Sequence, residues 1–320
     1  MNTSSADTAP IVVGIDGSSH SSRAAWWAGN EAAASHRPLV LVHVADDRHA
    51  EPAGARRWGH GAGTTLGPSL RDDLLAQEVD RAAAGHPGLD VTTRVVPGDP
   101  VGVLLDSARW ARMIVVGSHG RGARHRLLGS VSAQVAQRAT CPVAIVRPEP
   151  LGGPGHGVAV GIDGTPDSLP VLAAAFRIAA ASHLRLTVIH CISRAMRAAH
   201  RTVTDPAGPD LGHSEALVTG LIAGLREQYA DVHVEIQVRR ADPADALRDA
   251  GAEMDMLVIG RHDEGRHTSS STNSLMRHQI RHALTTIVVV PTGVQEAGAE
   301  DEPAAGSVGG GVTTEPTKAT

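Results

Sequence analysis

Lysine is nearly missing from this chain: Lys318 is the only one in 320 residues, so every other basic side chain is arginine or histidine. That excludes a P-loop kinase or ATPase of the GxxxxGK[ST] type, whose lysine holds the phosphates. Cysteine is almost as scarce. Cys141 and Cys191 both stand in apolar runs, which reads as small buried hydrophobes rather than a redox pair. No run of 18 apolar residues is present to span a membrane. The opening stretch MNTSSADTAP has neither the basic start nor the apolar core of a signal peptide, so the expected location is the cytoplasm with reduced thiols.

A surplus of charge is lacking too. The net charge of -5 falls mostly on residues 293–320, where Glu296, Glu300, Asp301, Glu302 and Glu315 outweigh Lys318; without that -4 the rest of the chain carries -1. So balanced a body offers no electrostatic footprint to nucleic acid or to an anionic membrane. The same segment is poor in large apolar groups and reads as a disordered tail.

What is present is a duplication. Residues 11–44, IVVGIDGSSHSSRAAWWAGNEAAASHRPLVLVHV, match 158–191, VAVGIDGTPDSLPVLAAAFRIAAASHLRLTVIHC, without a gap, and Gly14/Gly161, Asp16/Asp163, His36/His183 and His43/His190 all lie 147 residues apart. A period of that length means two whole domains, taken as 8–148 and 157–292 with the Pro/Gly-rich 149–156 as linker.

Within the first copy, Ile11–Ile15, Leu39–Val44, Val91–Val96, Met113–Gly117 and Val143–Val146 are short apolar runs that suit strands buried on both faces. Helices are expected between them. One follows a cap at Ser18, Ser19 or Ser21 and stops at His36-Arg37-Pro38; one opens at Ser69 with Leu70, Leu74, Leu75 and Val79 on one face; one runs from Val101 to about Trp110; one opens at Gly129-Ser130. Residues 45–68 read as a long loop. Strands alternating with helices give an α/β fold: two tandem five-stranded parallel open sheets with helices on both faces. Val143–Val146 and Ile287–Val290 are apolar edges able to pair with one another inside the chain, making a pseudo-dimer, with a homodimer of whole chains as a further option.

Met113–Val146 has the build of a phosphate cradle. A strand ending in closely spaced glycines lets backbone N–H groups turn toward a ligand, and the helix after Gly129 adds its unpaired N–H groups and the positive end of its dipole. Gly117 and Gly120 tolerate positive φ and close backbone approach; Ser130 and Ser132 can cap the helix or bond a phosphate oxygen. The plain alternative is a tight turn without a ligand, with Asp16 merely capping the next helix.

The start VVGIDGS, the strand end VLVHV and the loop GSHGRGARHRLLGSVS ahead of CPVAIVRP, in that order, resemble the universal stress protein family in its tandem form, over roughly residues 8–292. The resemblance implies an adenine nucleotide alpha hydrolase-like fold and an ATP site, beside which the Asp16 carboxylate could hold Mg²⁺. Carried over, Gly14, Ile15 and Asp16 border the adenosine, Val44 meets the base, and Val116, Gly117, Gly120, Gly129, Ser130, Val131 and Ser132 hold ribose and phosphates. It also implies a stress-response role through nucleotide-dependent regulation or an unidentified protein partner.

Two departures bear on this. Between Gly120 and Gly129 stand eight residues, RGARHRLL, where the family pattern has nine; in the second copy the length is kept, but Asp263 and Asn273 replace glycines. A carboxylate at 263 repels phosphate, so the second site is expected to be weak or absent. Arg121, Arg124 and Arg126 are candidates to meet phosphates. Two readings from other classes stay open: a slow ATPase or adenylyl-transferring enzyme, though no SGGxDS or HIGH motif is present, and a ligand-free scaffold. Ser118-His119 has no third group to orient it, so no catalytic residue is assigned. Among the 18 histidines, His278/His282 and His119/His125 invite a metal, but lack a third ligand.

Overall fold

The computed structural model describes residues 8–45, 68–120, 129–148, 157–192, 210–262 and 270–292. The expected tail, the linker and most of the 45–68 loop lie outside these residues. In the first half the strands are β1 (Ile11–Ile15), β2 (Leu39–Ala45), β3 (Val91–Pro97), β4 (Met113–Gly117) and β5 (Val143–Val146). The helices are α1 (Ser19–Ala34), α2 (Pro68–Ala83), α3 (Pro100–Ser107) and α4 (Ser130–Arg138). The second half has β6 (Val158–Ile162), β7 (Leu186–Cys191), β8 (Val234–Arg239), β9 (Met256–His262) and β10 (Thr286–Thr292). Its helices are α5 (Leu169–Ala181), α6 (Leu211–Gln228), α7 (Pro243–Glu253) and α8 (Ser270–His282).

Local chemistry accounts for the boundaries. Ser18 caps α1 by accepting from the Ser21 N–H at 3.2 Å, and Asp99, followed by Pro100 at the first helical position, caps α3 through the Gly102 N–H at 3.0 Å. Asp242-Pro243 repeats that device on α7, the Ala244 N–H donating at 2.8 Å. Helix α3 stops at Ser107, one turn before the expected Trp110, because Ala108–Trp110 tighten into i→i+3 hydrogen bonds. His36 and His183 end α1 and α5 in the left-handed region, at φ 52° and 54°, where an unbranched Gly or Asn is the usual choice.

The strands form one ten-stranded sheet in the order β3-β2-β1-β4-β5-β10-β9-β6-β7-β8. Each half is a parallel five-stranded sheet, and the halves join through antiparallel β5 and β10, with Ile145 opposite Ile287 and Val143 opposite Val289. Alternate residues feed two core layers, each continuous across both halves. Ile11, Val13, Leu41 and Val115 share the first layer with the small face of α1, Ala24, Ala25, Ala28 and Ala32; Val12, Val42, Ile114 and Val116 share the second with Leu104 and Val135. β3 is an outer edge, and most of its residues are exposed rather than buried on both faces.

Polar side chains also cross the seam. The Arg147 guanidinium donates to the Ile280 carbonyl and that of Arg261 to the Ala136 carbonyl, so an arginine reaches over in each direction. On the other face Glu31 of α1 meets Arg177 of α5 at 3.2 Å, both largely buried. Burial pushes the Glu31 carboxyl above its ordinary range in spite of Arg177, and lowers Arg177 likewise. Desolvation therefore outweighs pairing here.

Candidate functional site

In the first half the chain runs from β1 outward to β2 and β3, then returns to β4 on the other side of β1. That reversal opens a crevice at the carboxyl ends of β1 and β4, the usual ligand edge of a doubly wound sheet. Gly14, Ile15 and Asp16 end β1; Val116 and Gly117 end β4 beside them; Gly120 follows; Gly129 to Ser132 begin α4. Val44 stands one strand further out, opposite Val96 of β3.

Space, rather than φ, demands two of the glycines, since neither Gly117 nor Gly120 has a left-handed backbone. A Cβ on Gly117 would come within 2.7 Å of the His20 carbonyl at the start of α1, which has nowhere to go. One on Gly120 would lie 2.9 Å from Asp16 Oδ2. The 117–120 segment is therefore pressed against the β1–α1 turn. The Gly129 N–H donates to the Ser118 carbonyl at 2.9 Å, bringing the start of α4 to the same place.

The two helix starts differ. Helix α1 is capped by Ser18, whose own N–H donates to Asp16 Oδ1 at 2.9 Å, so Asp16 orders the turn without capping the helix itself. Helix α4 has Gly129 as its N-cap and no capping side chain. Neither serine of the first turn serves as one: Ser130 is exposed, and Ser132 is buried with its hydroxyl donating to the Gly117 carbonyl at 2.6 Å. Among the described residues no side chain caps the first-turn N–H groups of α4, whose helix end carries the positive pole of its dipole.

One group at the crevice is not apparent from the sequence. Ser118 is fully buried, and its Oγ lies 3.0 Å from His119 Nδ1 and 3.3 Å from His20 Nδ1. The two imidazole centroids are 4.9 Å apart, and Arg23 Nη2 is 3.3 Å from His20 Nδ1. His20 and His119 are 99 positions apart in the chain, and only the contact of α1 with the β4–α4 loop joins them. The capping run SSHSS was the available signal, since a histidine there faces whatever the helix start faces.

The second half has rebuilt the equivalent place. Asp163 Oδ1 accepts from the Thr165 N–H at 2.9 Å, the Thr165 hydroxyl at 2.8 Å and the Ser168 hydroxyl at 2.7 Å. His262 Nε2 stands 3.8 Å from its other oxygen. Burial alone would raise this carboxyl, but the hydrogen bonds, with His262 nearby, hold it below its ordinary range. The counterpart of Ser118 is Arg261, which spans the seam, and that of Ser132 is the buried Met276. Asn273 lies inside α8, which starts at Ser270, whereas its counterpart Gly129 is an N-cap. Asp263 and the 121–128 segment lie outside the described residues, as does His125. The His278 and His282 rings are 4.5 Å apart, and among the described residues no group of three metal-ligating side chains forms.

The histidine on β2 and its repeat on β7 share one task. His43 Nδ1 donates to the Ile15 carbonyl at 2.9 Å, and His190 Nδ1 to the Ile162 carbonyl at 3.3 Å, each pinning the end of the neighbouring strand. Burial holds the His190 imidazole below its ordinary range, in spite of the Ile162 carbonyl and nearby Asp163.

The sequence profile of the universal stress protein family matches residues 8–147 and again 156–291. Universal stress protein Rv2005c of Mycobacterium tuberculosis is 32% identical over 297 residues, spanning 88% of this chain and 96% of that protein. Universal stress protein Rv2623 of the same organism is 30% identical over 292 residues, spanning 87% and 95%. The crystal structure of a universal stress protein from Archaeoglobus fulgidus superposes with a TM-score of 0.61 over 89% of this chain and 99% of that one, at 16% identity, which speaks for the fold alone. With a profile match over each half and relatives alike over nearly its whole length, the chain belongs to the universal stress protein family, as a tandem of two such domains.

Proposed function

We propose that the first domain binds an adenine nucleotide, ATP together with Mg²⁺, and that its nucleotide state governs what the chain contacts. The observation that carries this reading is the convergence of the α1 and α4 starts on the 117–120 segment, at the strand-order reversal, with the α4 end uncapped by any side chain among the described residues. Such an end favours phosphate by its N–H groups and its dipole. In this reading Gly14, Ile15 and Asp16 border the adenosine and Val44 its base. Val116, Gly117, Gly120, Gly129, Ser130, Val131 and Ser132 take ribose and phosphates, and the Asp16 carboxylate offers Mg²⁺ the hard oxygen it prefers.

Binding rather than turnover is the function proposed. The serine nearest the phosphate position is fully buried and engaged with two imidazoles, which removes it as an accessible nucleophile. The second domain binds nucleotide weakly or not at all, because its aspartate is committed to its own turn and its helix starts elsewhere.

Titration calorimetry of the full chain with ATP in excess Mg²⁺ tests this. One site per chain is expected. Absence of heat up to millimolar ATP refutes the nucleotide reading, and a stoichiometry of two refutes the assignment to the first domain alone.

A further inference from the structure

The helix whose start faces the first crevice is held at its other end by the second half, and the coupling inferred from this rests on the nucleotide reading. Helix α4 leaves its helical path at Ala139, which is extended and whose N–H donates to the Val135 carbonyl. The Ala136 carbonyl is therefore the first that the helix leaves without an N–H. Arg261 of β9, 6% exposed, reaches it from across the seam, its Nη1 donating at 3.4 Å. Helix α8 ends in the same way. The Ala283 N–H donates to the Gln279 carbonyl, and the next carbonyl, that of Ile280, accepts from Arg147 of the first half.

Ala136 and Ile280 are equivalent residues, 144 positions apart as Val143 and Ile287 are. The two arginines are not equivalent. Arg147 corresponds to Pro291 in the second half, and Arg261 to Ser118 in the first. The same helix-end carbonyl in both halves thus takes a guanidinium from the opposite half, supplied from two unrelated positions. The apolar join of β5 to β10 does not require that match.

Each end of α4 is tied to a different crevice. At the carboxyl end, the Arg261 carbonyl accepts from the Thr292 hydroxyl at 3.1 Å, and that hydroxyl stands 3.0 Å from His262 Nδ1. His262 in turn faces Asp163 at the end of β6. One helix length away, about 13 Å for nine residues, the Gly129 N–H and the Ser132 hydroxyl donate to the Ser118 and Gly117 carbonyls.

We propose that Arg261 couples the second half to the nucleotide site of the first: by holding the carboxyl end of α4, it sets where the amino end of that helix meets the phosphates. Arg261 is a positioning residue. It acts through the place of the helix, because the field of a charge at one helix end fades within a turn and does not span α4. Coupling of this kind is reciprocal, so a nucleotide that fixes α4 also steadies β9 and the contact of His262 with Asp163. The second half is then a reader of the first.

The test combines titration calorimetry of the full chain, using ATP in excess Mg²⁺, with hydrogen exchange along β9 in the absence and presence of saturating ATP. In the parent chain ATP is expected to slow exchange along β9, although it binds in the other half. Arg261→Met is expected to weaken ATP binding by about two- to thirtyfold and to remove that protection. Arg261→Lys, which keeps a long donor, is expected to restore both in large part. Arg177→Ala breaks a seam contact on the other sheet face without touching α4, and is expected to leave ATP affinity unchanged. Parent-like affinity in Arg261→Met overturns the coupling, as does equal weakening in Arg177→Ala, which would trace the effect to the seam as a whole. Exchange along β9 that ignores bound ATP in the parent overturns it too. Absence of any heat in the parent chain overturns the nucleotide reading itself, so the two failures are distinguishable.

Discussion

Replacing Gly120 by aspartate copies into the first domain the residue that the second carries at position 263. The structure sets the size of the effect. The Cβ would start 2.9 Å from Asp16 Oδ2, and the backbone there is not left-handed, so any residue type is conformationally allowed. A new carboxylate in that position lies within about 4 Å of the Asp16 oxygens and of any phosphate held by the loop. At that separation two unit charges repel by about 1 kcal/mol in water and about 4 kcal/mol at an effective dielectric of 20. Gly120→Asn has nearly the same shape and no charge, so the ratio of the two dissociation constants isolates the electrostatic part. That ratio is expected to lie between about fivefold and several hundredfold, and to shrink as salt rises from 50 to 500 mM because the site is partly open to solvent. Titration calorimetry with Mg²⁺ and ATP gives the constants, and circular dichroism checks that both variants keep the fold. Equal weakening by Asp and Asn would reduce the role of Gly120 to steric room. Unchanged affinity in both would place the phosphates elsewhere.

Other consequences follow from burial and backbone geometry. Arg177→Ala leaves the Glu31 carboxylate, with a side chain 3% exposed, without its partner and is expected to cost about 3–5 kcal/mol in urea unfolding, while Glu31→Leu with Arg177→Met recovers most of it; a cost below 1 kcal/mol for the single change would refute the pairing. His36→Gly and His183→Gly each relieve a left-handed histidine and are expected to stabilise by about 0.5–1 kcal/mol, additively, on the same measurement. Burial pushes the Cys141 thiol up to about 12 and that of Cys191 to about 11, from 9.0, so neither is expected to react with a thiol reagent at pH 8 until urea is added. The sign of the linked effect follows: both thiols titrate higher folded than unfolded, so their contribution is complete below pH 9 and is lost as pH rises toward 11 and 12.

The fold was readable wherever burial repeats at the period of its element. Strands such as Val12-Val13 and Val115-Val116 are apolar because both sheet faces are covered, and the duplication doubled the signal. The join of β5 to β10 was equally readable, since two unpaired apolar edges in one chain have few other uses. The crevice was legible only along the chain. GSHG and GSVS announce a loop that approaches backbone and a helix start, but the role of Gly117 is set by His20, nearly 100 residues earlier, and that of Gly120 by Asp16. The second half departs from the first at more places than position 263: Asp163 accepts from Thr165 and Ser168, and Arg261 reaches across the seam to the Ala136 carbonyl. Neither arrangement leaves a periodic trace.

The union of β5 with β10 also has a history during synthesis. The first domain is complete once Val146 is made, yet the strand that covers its edge spans Thr286–Thr292. About 140 residues separate the two, and at roughly 5–20 residues per second the ribosome needs about 7–30 s to cross that interval. Throughout it the sequence VAIV, flanked by Pro142 and by Arg147-Pro148, lies along a sheet edge that its partner strand has not yet covered. In this chain the partner strand is always on its way, and the interval is set by the length of the second domain.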